Sequence, residues 1–222
     1  MCGRFTLSQS AEAIASVFQL NQVPTLEPRY NIAPTQLVST VLQTPAPKER
    51  QFQMFRWGLI PAWAKDATIG AKLINARAET VAEKPAFRSA FRHRRCLVVA
   101  DGFYEWRRQD GKKQPFYFRM QNGQPFAFAG LWEHWQNPDG EAIASCTILT
   151  TEANELLQPI HDRMPVILHP KDYDLWLDPA VQKSDHLQQL LQPYSAAAMI
   201  FYPVSTKVNK PTNDTPELIN SL

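Results

Sequence analysis

The 222-residue chain is poor in cysteine and glycine and has no long apolar run. Three cysteines, Cys2, Cys96 and Cys146, form no even framework and no CxxC pair. That argues against a disulfide scaffold and against a zinc site built on thiolates. Eight Gly against 18 Pro predict loops that are fixed rather than flexible. The longest apolar run, residues 196–202, is strand-sized, far short of the ~18 residues of a membrane helix. The first residues lack the apolar stretch of a signal peptide. Repeats, low-complexity tracts and linkers are missing, as are GxGxxG, Walker A, HExxH and GxSxG motifs. The five histidines show no metal-ligand spacing. These absences predict a soluble cytosolic protein, one domain over residues 1–222, without metal, cofactor or membrane partner.

What is there is an ordinary globular composition, 44% apolar and 20% charged, in a chain long enough to bury a full core. The net charge is only +2, but it is unevenly placed. Residues 84–113 hold nine Lys or Arg against three acids, a net +6, and the rest of the chain sums to −4. A basic segment on a mildly acidic body is either a solvated face or the footprint of a polyanion.

Along the chain, Ser8 or Ser10 is placed to cap a helix running to Gln19, with Ile14, Val17 and Phe18 on one face. Residues 37–42 and 51–57 read as strands around a Pro-containing loop. Residues 84–95 read as a helix whose Arg88, Arg92 and Arg95 share a face. From 96 to 150 the pattern is β, with hairpin signals at Asp110-Gly111, Asn122-Gly123 and Asp139-Gly140. A meander is the simplest reading. Short helices are expected over 151–158, 171–177 and 184–191, and a last strand over 199–204. Strands outnumber helices without alternating with them, so the class is α+β.

The most unusual position is Cys2. Once Met1 is removed, Cys2 carries an α-amine beside its thiol, and both are nucleophilic near neutral pH. Such a 1,2-aminothiol adds to an aldehyde as an imine and closes a five-membered thiazolidine. An internal cysteine cannot, because its nitrogen is an amide. Glu105 sits among Phe103, Tyr104 and Trp106. Facing inward, it gains a raised pKa suited to proton transfer; facing outward, it is an ordinary strand-end acid. His161, Asp162 and Arg163 are consecutive before an apolar segment, as a site or as a salt-bridged loop. Asn75, Arg77 and Glu79 alternate with apolar residues and would share one face of a strand, toward ligand or toward solvent.

Six segments then occur in order: Met1-Cys2-Gly3-Arg4-Phe5, residues 29–34 (RYNIAP), 57–61 (WGLIP), 73–80 (LINARAET), 100–106 (ADGFYEW) and 160–165 (IHDRMP). Together they resemble the SOS response-associated peptidase (SRAP) family over roughly residues 2–210. The resemblance implies a single α+β domain with a β-rich, barrel-like antiparallel core and peripheral short helices. It implies covalent capture of abasic sites in single-stranded DNA as a thiazolidine on Cys2, with lyase activity as a side reaction. Its active-site positions fall on Cys2, Asn75, Glu105 and His161. Its DNA-contacting positions fall on Arg4, Pro34, Trp63, Arg77, Trp106, Thr150 and Arg163, with Lys84 or Arg88 for a further basic position. Trp63 and Trp106 would stack on bases or belong to the core. A monomer is expected, nucleoid-associated when bound, with the replication machinery as a candidate partner. Two other readings compete: an N-terminal-nucleophile cysteine peptidase acting on its own N-terminus, and a non-catalytic single-strand binding module.

Overall fold

The computed structural model describes residues 2–44, 47–109, 111–137 and 139–222. Its strands are β1 (Phe5–Leu7), β2 (Arg29–Ile32), β3 (Leu37–Gln43), β4 (Arg50–Trp57), β5 (Asn75–Arg77), β6 (Arg95–Ala100), β7 (Gly102–Gln109), β8 (Lys112–Met120), β9 (Phe126–Gln136), β10 (Ala142–Glu152), β11 (Arg163–Pro165), β12 (Ile167–Leu168) and β13 (Met199–Pro203). The helices are short: α1 (Ala11–Phe18), α2 (Arg88–His93), α3 (Tyr173–Leu177) and α4 (Ser184–Gln188). The expected α+β class and barrel-like core are both present.

The barrel closes through β4, β3, β6, β9, β10 and back to β4. β6, Arg-Cys-Leu-Val-Val-Ala, is buried at every position, as a strand paired on both edges and covered on both faces must be. At Gly130 on β9 a Cβ would lie 2.7 Å from Cys96 Sγ and 2.8 Å from Val98 Cγ2, so the interior has no room for a side chain there. The pairings are antiparallel except where β10 runs parallel to β4 and to β5. A second sheet, ordered β13-β8-β7-β1-β2, is antiparallel throughout.

The two sheets meet through aromatic rings. Phe5 packs edge-on against Trp57 at 5.1 Å and against Phe128 at 5.7 Å. Truncating a ring so buried removes about 3–5 kcal/mol, so Phe5 anchors the first residues of the chain on the barrel. Behind it, the buried Asp101 carboxylate accepts from the Thr6 hydroxyl, the Ser8 amide and hydroxyl, and the Gln9 amide. That fixes the turn into α1, whose N-cap is Ser10, accepting from Ala13 N, and whose C-cap is Gln19 in the left-handed region.

Three local readings are corrected. Asn122-Gly123 does not make a hairpin: β8 belongs to the second sheet and β9 to the barrel, so the 96–150 region is no meander. Asp139-Gly140 does join a paired couple, β9 and β10. The Asp110-Gly111 turn lies partly outside the described residues, between the paired β7 and β8. Residues 155–160 form turns rather than a helix, capped by the Asn154 side chain, because β10 extends through Glu152. Arg95 leaves its expected basic face. It is buried and donates to the carbonyls of Phe91, Arg92, Trp176, Asp178 and Val181. Its five donors satisfy carbonyls in the last turns of α2 and α3 and just beyond α3. Burial lowers its pKa to about 10.

Candidate active site and nucleic-acid interface

β1 pairs with β7 at Phe5↔Phe103 and Thr6↔Gly102, and the Tyr104 amide donates to the Arg4 carbonyl at 3.0 Å. Continuing that antiparallel register brings Cys2 alongside Glu105 and Trp106. Cys2 is buried, its thiol 3.9 Å from the Arg4 carbonyl. Burial pushes the thiol pKa up, and the neighbouring Glu105 carboxylate pushes it further.

Glu105 points inward. Phe103, two residues earlier on the same face, stacks on Phe118 and meets Phe128. Glu105 is 2% exposed, and burial raises its pKa to about 7. It is poised to give or take a proton at neutral pH. The Asp162 charge adds slightly to the rise, so the His161 loop is electrostatically close to β7.

His161 accepts from the Arg163 amide at Nδ1, 3.0 Å away. The same nitrogen lies 3.0 Å from an Asp162 oxygen. It cannot accept from the amide and donate to the carboxylate at once. Burial lowers the His161 pKa, and Asp162 is 88% exposed. The neutral ring with its proton on Nε2 therefore fits best. Asn75 donates weakly to the Ile148 carbonyl, 3.4 Å, and its buried Oδ1 has no partner among the described residues. That leaves one oriented acceptor. β5 is only three residues long, so Glu79 falls in the following turn rather than on a shared strand face with Asn75 and Arg77.

The expected DNA-contacting residues divide into two sets. Arg77 is exposed on β5, Trp63 is 62% exposed on the loop after β4, Trp106 is half-buried on β7, and Pro34 is half-buried between β2 and β3. The others are engaged within the protein. Arg163 forks onto Glu79 at 2.6 and 3.0 Å and donates to the Thr150 carbonyl at 2.7 Å. Thr150 itself is fully buried. Arg4 Nη1 donates to Asn31 Oδ1 at 2.7 Å and to the Val208 carbonyl at 2.8 Å. Lys84 and Arg88 are both exposed.

Of the basic segment, Arg95 is inside and Arg94 pairs with Glu133 at 2.7 Å. Arg107, Arg108, Lys112 and Lys113 are exposed near the turn of the β7–β8 hairpin. There Arg108 stands directly opposite Lys113. Like charges so paired destabilise a sheet, and an anion relieves them. Arg108 also slightly lowers the His161 pKa, which sets this hairpin near the candidate site.

Sequence reasoning missed Asn31 and Asp214 as organisers. Asp214 accepts from Arg29 Nε and from the Tyr30 and Asn31 amides. Nothing in the local pattern marks a partner more than 180 positions away in the chain.

Residues 1–211 match the SOS response associated peptidase (SRAP) family, and the chain belongs to it. It is similar to the abasic site processing protein YoqW of Bacillus subtilis, 48% identical over the full length of both chains. It is 35% identical to the abasic site processing protein HMCES of Xenopus tropicalis over 78% of this chain and 58% of that one. A crystal structure from Bacteroides thetaiotaomicron superposes with a TM-score of 0.88 at 28% identity, covering all of both chains.

Proposed function

We propose that this protein acts in the DNA damage response by capturing abasic sites in single-stranded DNA covalently through Cys2, after loss of Met1. The observation that carries the reading is the burial of Cys2 alongside the Glu105 strand, where burial also raises the Glu105 pKa to about 7. The family membership and the names of the relatives support it. We assign Cys2, Asn75, Glu105 and His161 to the reacting centre, and Arg77, Trp63, Trp106 and Pro34 to direct strand contacts. Arg4, Thr150 and Arg163 serve chiefly to hold the centre's walls in place. The whole chain works as one domain and as a monomer.

The steps follow from the groups. His161 moves a proton to open the closed sugar to its aldehyde. The Cys2 amine adds to the aldehyde carbon, and water leaves as the imine forms. The thiol sulfur then bonds to the imine carbon, and its proton passes through Glu105 to the nitrogen. The product is a thiazolidine. Asn75 Oδ1 holds the amine in register. Abstraction of a neighbouring sugar proton from the imine would instead give β-elimination, a slow lyase reaction.

Two measurements test this. Intact mass of the purified protein is expected to lack Met1 and to gain one oligonucleotide on incubation with single-stranded DNA carrying one abasic site. Retained Met1 in an adduct-forming protein would overturn the thiazolidine. Separately, binding of the Cys2→Ala protein to abasic single strands is expected to weaken steeply with salt. The log–log slope for single strands is about −0.7 per phosphate, so about four contacts give roughly −3. A flat response, or equal affinity for blunt duplex, would favour a peptidase acting on its own N-terminus.

A further inference from the structure

The segment 205–215 crosses the second sheet beside β1, β2 and β7 and separates its charges between two sides. Its inner side is tied down. Buried Asn31 on β2 donates from Nδ2 to the carbonyls of Val208, Lys210 and Asn213 at 3.2, 3.0 and 2.7 Å. Val208 is buried in a small cluster with Tyr104, Tyr117, Val204 and Leu218. The segment's one acid, Asp214, turns inward onto Arg29 at 2.5 Å. Its outer side carries Lys207 and Lys210, both exposed and neither ion-paired among the described residues. Between them, Asn209 Oδ1 accepts from Trp106 Nε1 at 2.7 Å. The Arg4 guanidinium lies 5.9 Å from that ring.

We infer that this strap is a second arm of the strand-binding surface: Lys207 and Lys210 hold phosphates beside a base stacked on Trp106, and Asn209 fixes the ring. The inference rests on the proposed function. Arg163 is forked onto Glu79, and Arg4 Nη1 is spent on Asn31 and Val208. Exposed Arg77 serves the strand at the centre, and phosphates further along it need other cations. The strap supplies two within two residues of the group that orients the stacking ring, and its own acid is neutralised on the far side. Lysine acts here as a point charge that positions the backbone without reading sequence. A ring held by its N–H loses less freedom when a base stacks on it.

The test uses the full protein and an intact, non-abasic single-stranded oligonucleotide, so that no covalent step intervenes. Anisotropy titrations across salt compare wild type, the double variant Lys207→Ala/Lys210→Ala, and a control, Lys171→Ala/Lys183→Ala, on the α3–α4 side. The strap variant is expected to bind roughly tenfold or more weakly at low salt, with the slope shallower by about 1.4, two phosphates' worth. The control is expected to match wild type. An unchanged slope in the strap variant overturns the lysine assignment. Asn209→Ala is expected to weaken binding in wild type but not in a Trp106→Phe background, since phenylalanine has no N–H to hold. Equal losses in both backgrounds overturn the role given to Asn209. No single-strand binding by wild type would remove the underlying functional reading itself, which separates the two failures.

Discussion

Cys2→Ala is expected to abolish the denaturant-resistant adduct with abasic single-stranded DNA, and Cys2→Ser to do the same. Alanine keeps the α-amine and permits an imine, but nothing closes the ring. Serine offers an oxygen, a weaker nucleophile that closes a less stable ring. Cys96 and Cys146 have amide nitrogens and sit fully buried in the barrel, so alanine at either is expected to preserve the adduct. The measurement is the shifted band on a denaturing gel, with intact mass to give its stoichiometry. The Cys2→Ala protein should still bind abasic strands, since the cationic rim is untouched. Adduct from Cys2→Ala at the wild-type level would transfer the chemistry to another nucleophile.

Glu105→Gln and His161→Ala are expected to slow adduct formation by about 10²–10⁴-fold each, the usual worth of a positioned acid–base group. Losses below about threefold for both, against that scale, would make the two residues structural. Glu105 acts as an acid only while protonated, so its contribution fades as pH rises through about 7. His161 acts as a base only while neutral, and burial lowers the pKa of that change from its ordinary value. The wild-type rate is therefore expected to show a limb near pH 7 that is missing in Glu105→Gln and kept in His161→Ala. Stability should move the other way. A carboxyl whose pKa is raised on folding binds more protons folded than unfolded between about 4.5 and 7, so it lowers stability as pH rises through that window. Glu105→Gln removes this penalty, on the order of 3 kcal/mol above pH 7. The variant is expected to melt several degrees higher at pH 8, with the gain gone near pH 4.5. A protein that is slower yet more stable is the signature of an acid held buried for chemistry.

The largest revision concerns the cations. Counting charge along residues 84–113 treats nine side chains alike. In the fold, Arg95 satisfies backbone carbonyls and Arg94 holds Glu133. Two further arginines behave similarly, Arg163 with Glu79 and Arg4 with Asn31. A guanidinium with five donors serves a wall as readily as it serves a phosphate, and sequence alone does not distinguish the two. Exposed Arg77, Lys84 and Arg88, the β7–β8 hairpin and the lysines of the strap are left open to an anion.

Features set by short-range chemistry are legible in the chain alone. Ser10 caps α1 through Ala13 N and Gln19 ends it through the Ala15 and Ser16 carbonyls, all within a few residues. The β3–β4 pair and the Asp139-Gly140 hairpin follow from alternation and turn residues close together in the chain. Six motifs in a fixed order were enough to indicate the family. Tertiary structure alone decided the rest. The Asn122-Gly123 turn passes from one sheet to the other because the edges of β9 are taken by β6 on one side and by β10 and β12 on the other. Glu105 faces inward because it shares a strand face with Phe103, which packs into the core. Asp214 reaches Arg29 and Asn31 only when the chain's end crosses its beginning. Caps and turns are settled by neighbours a few residues away, whereas burial, and the pKa values and ion pairs it sets, depends on every strand at once.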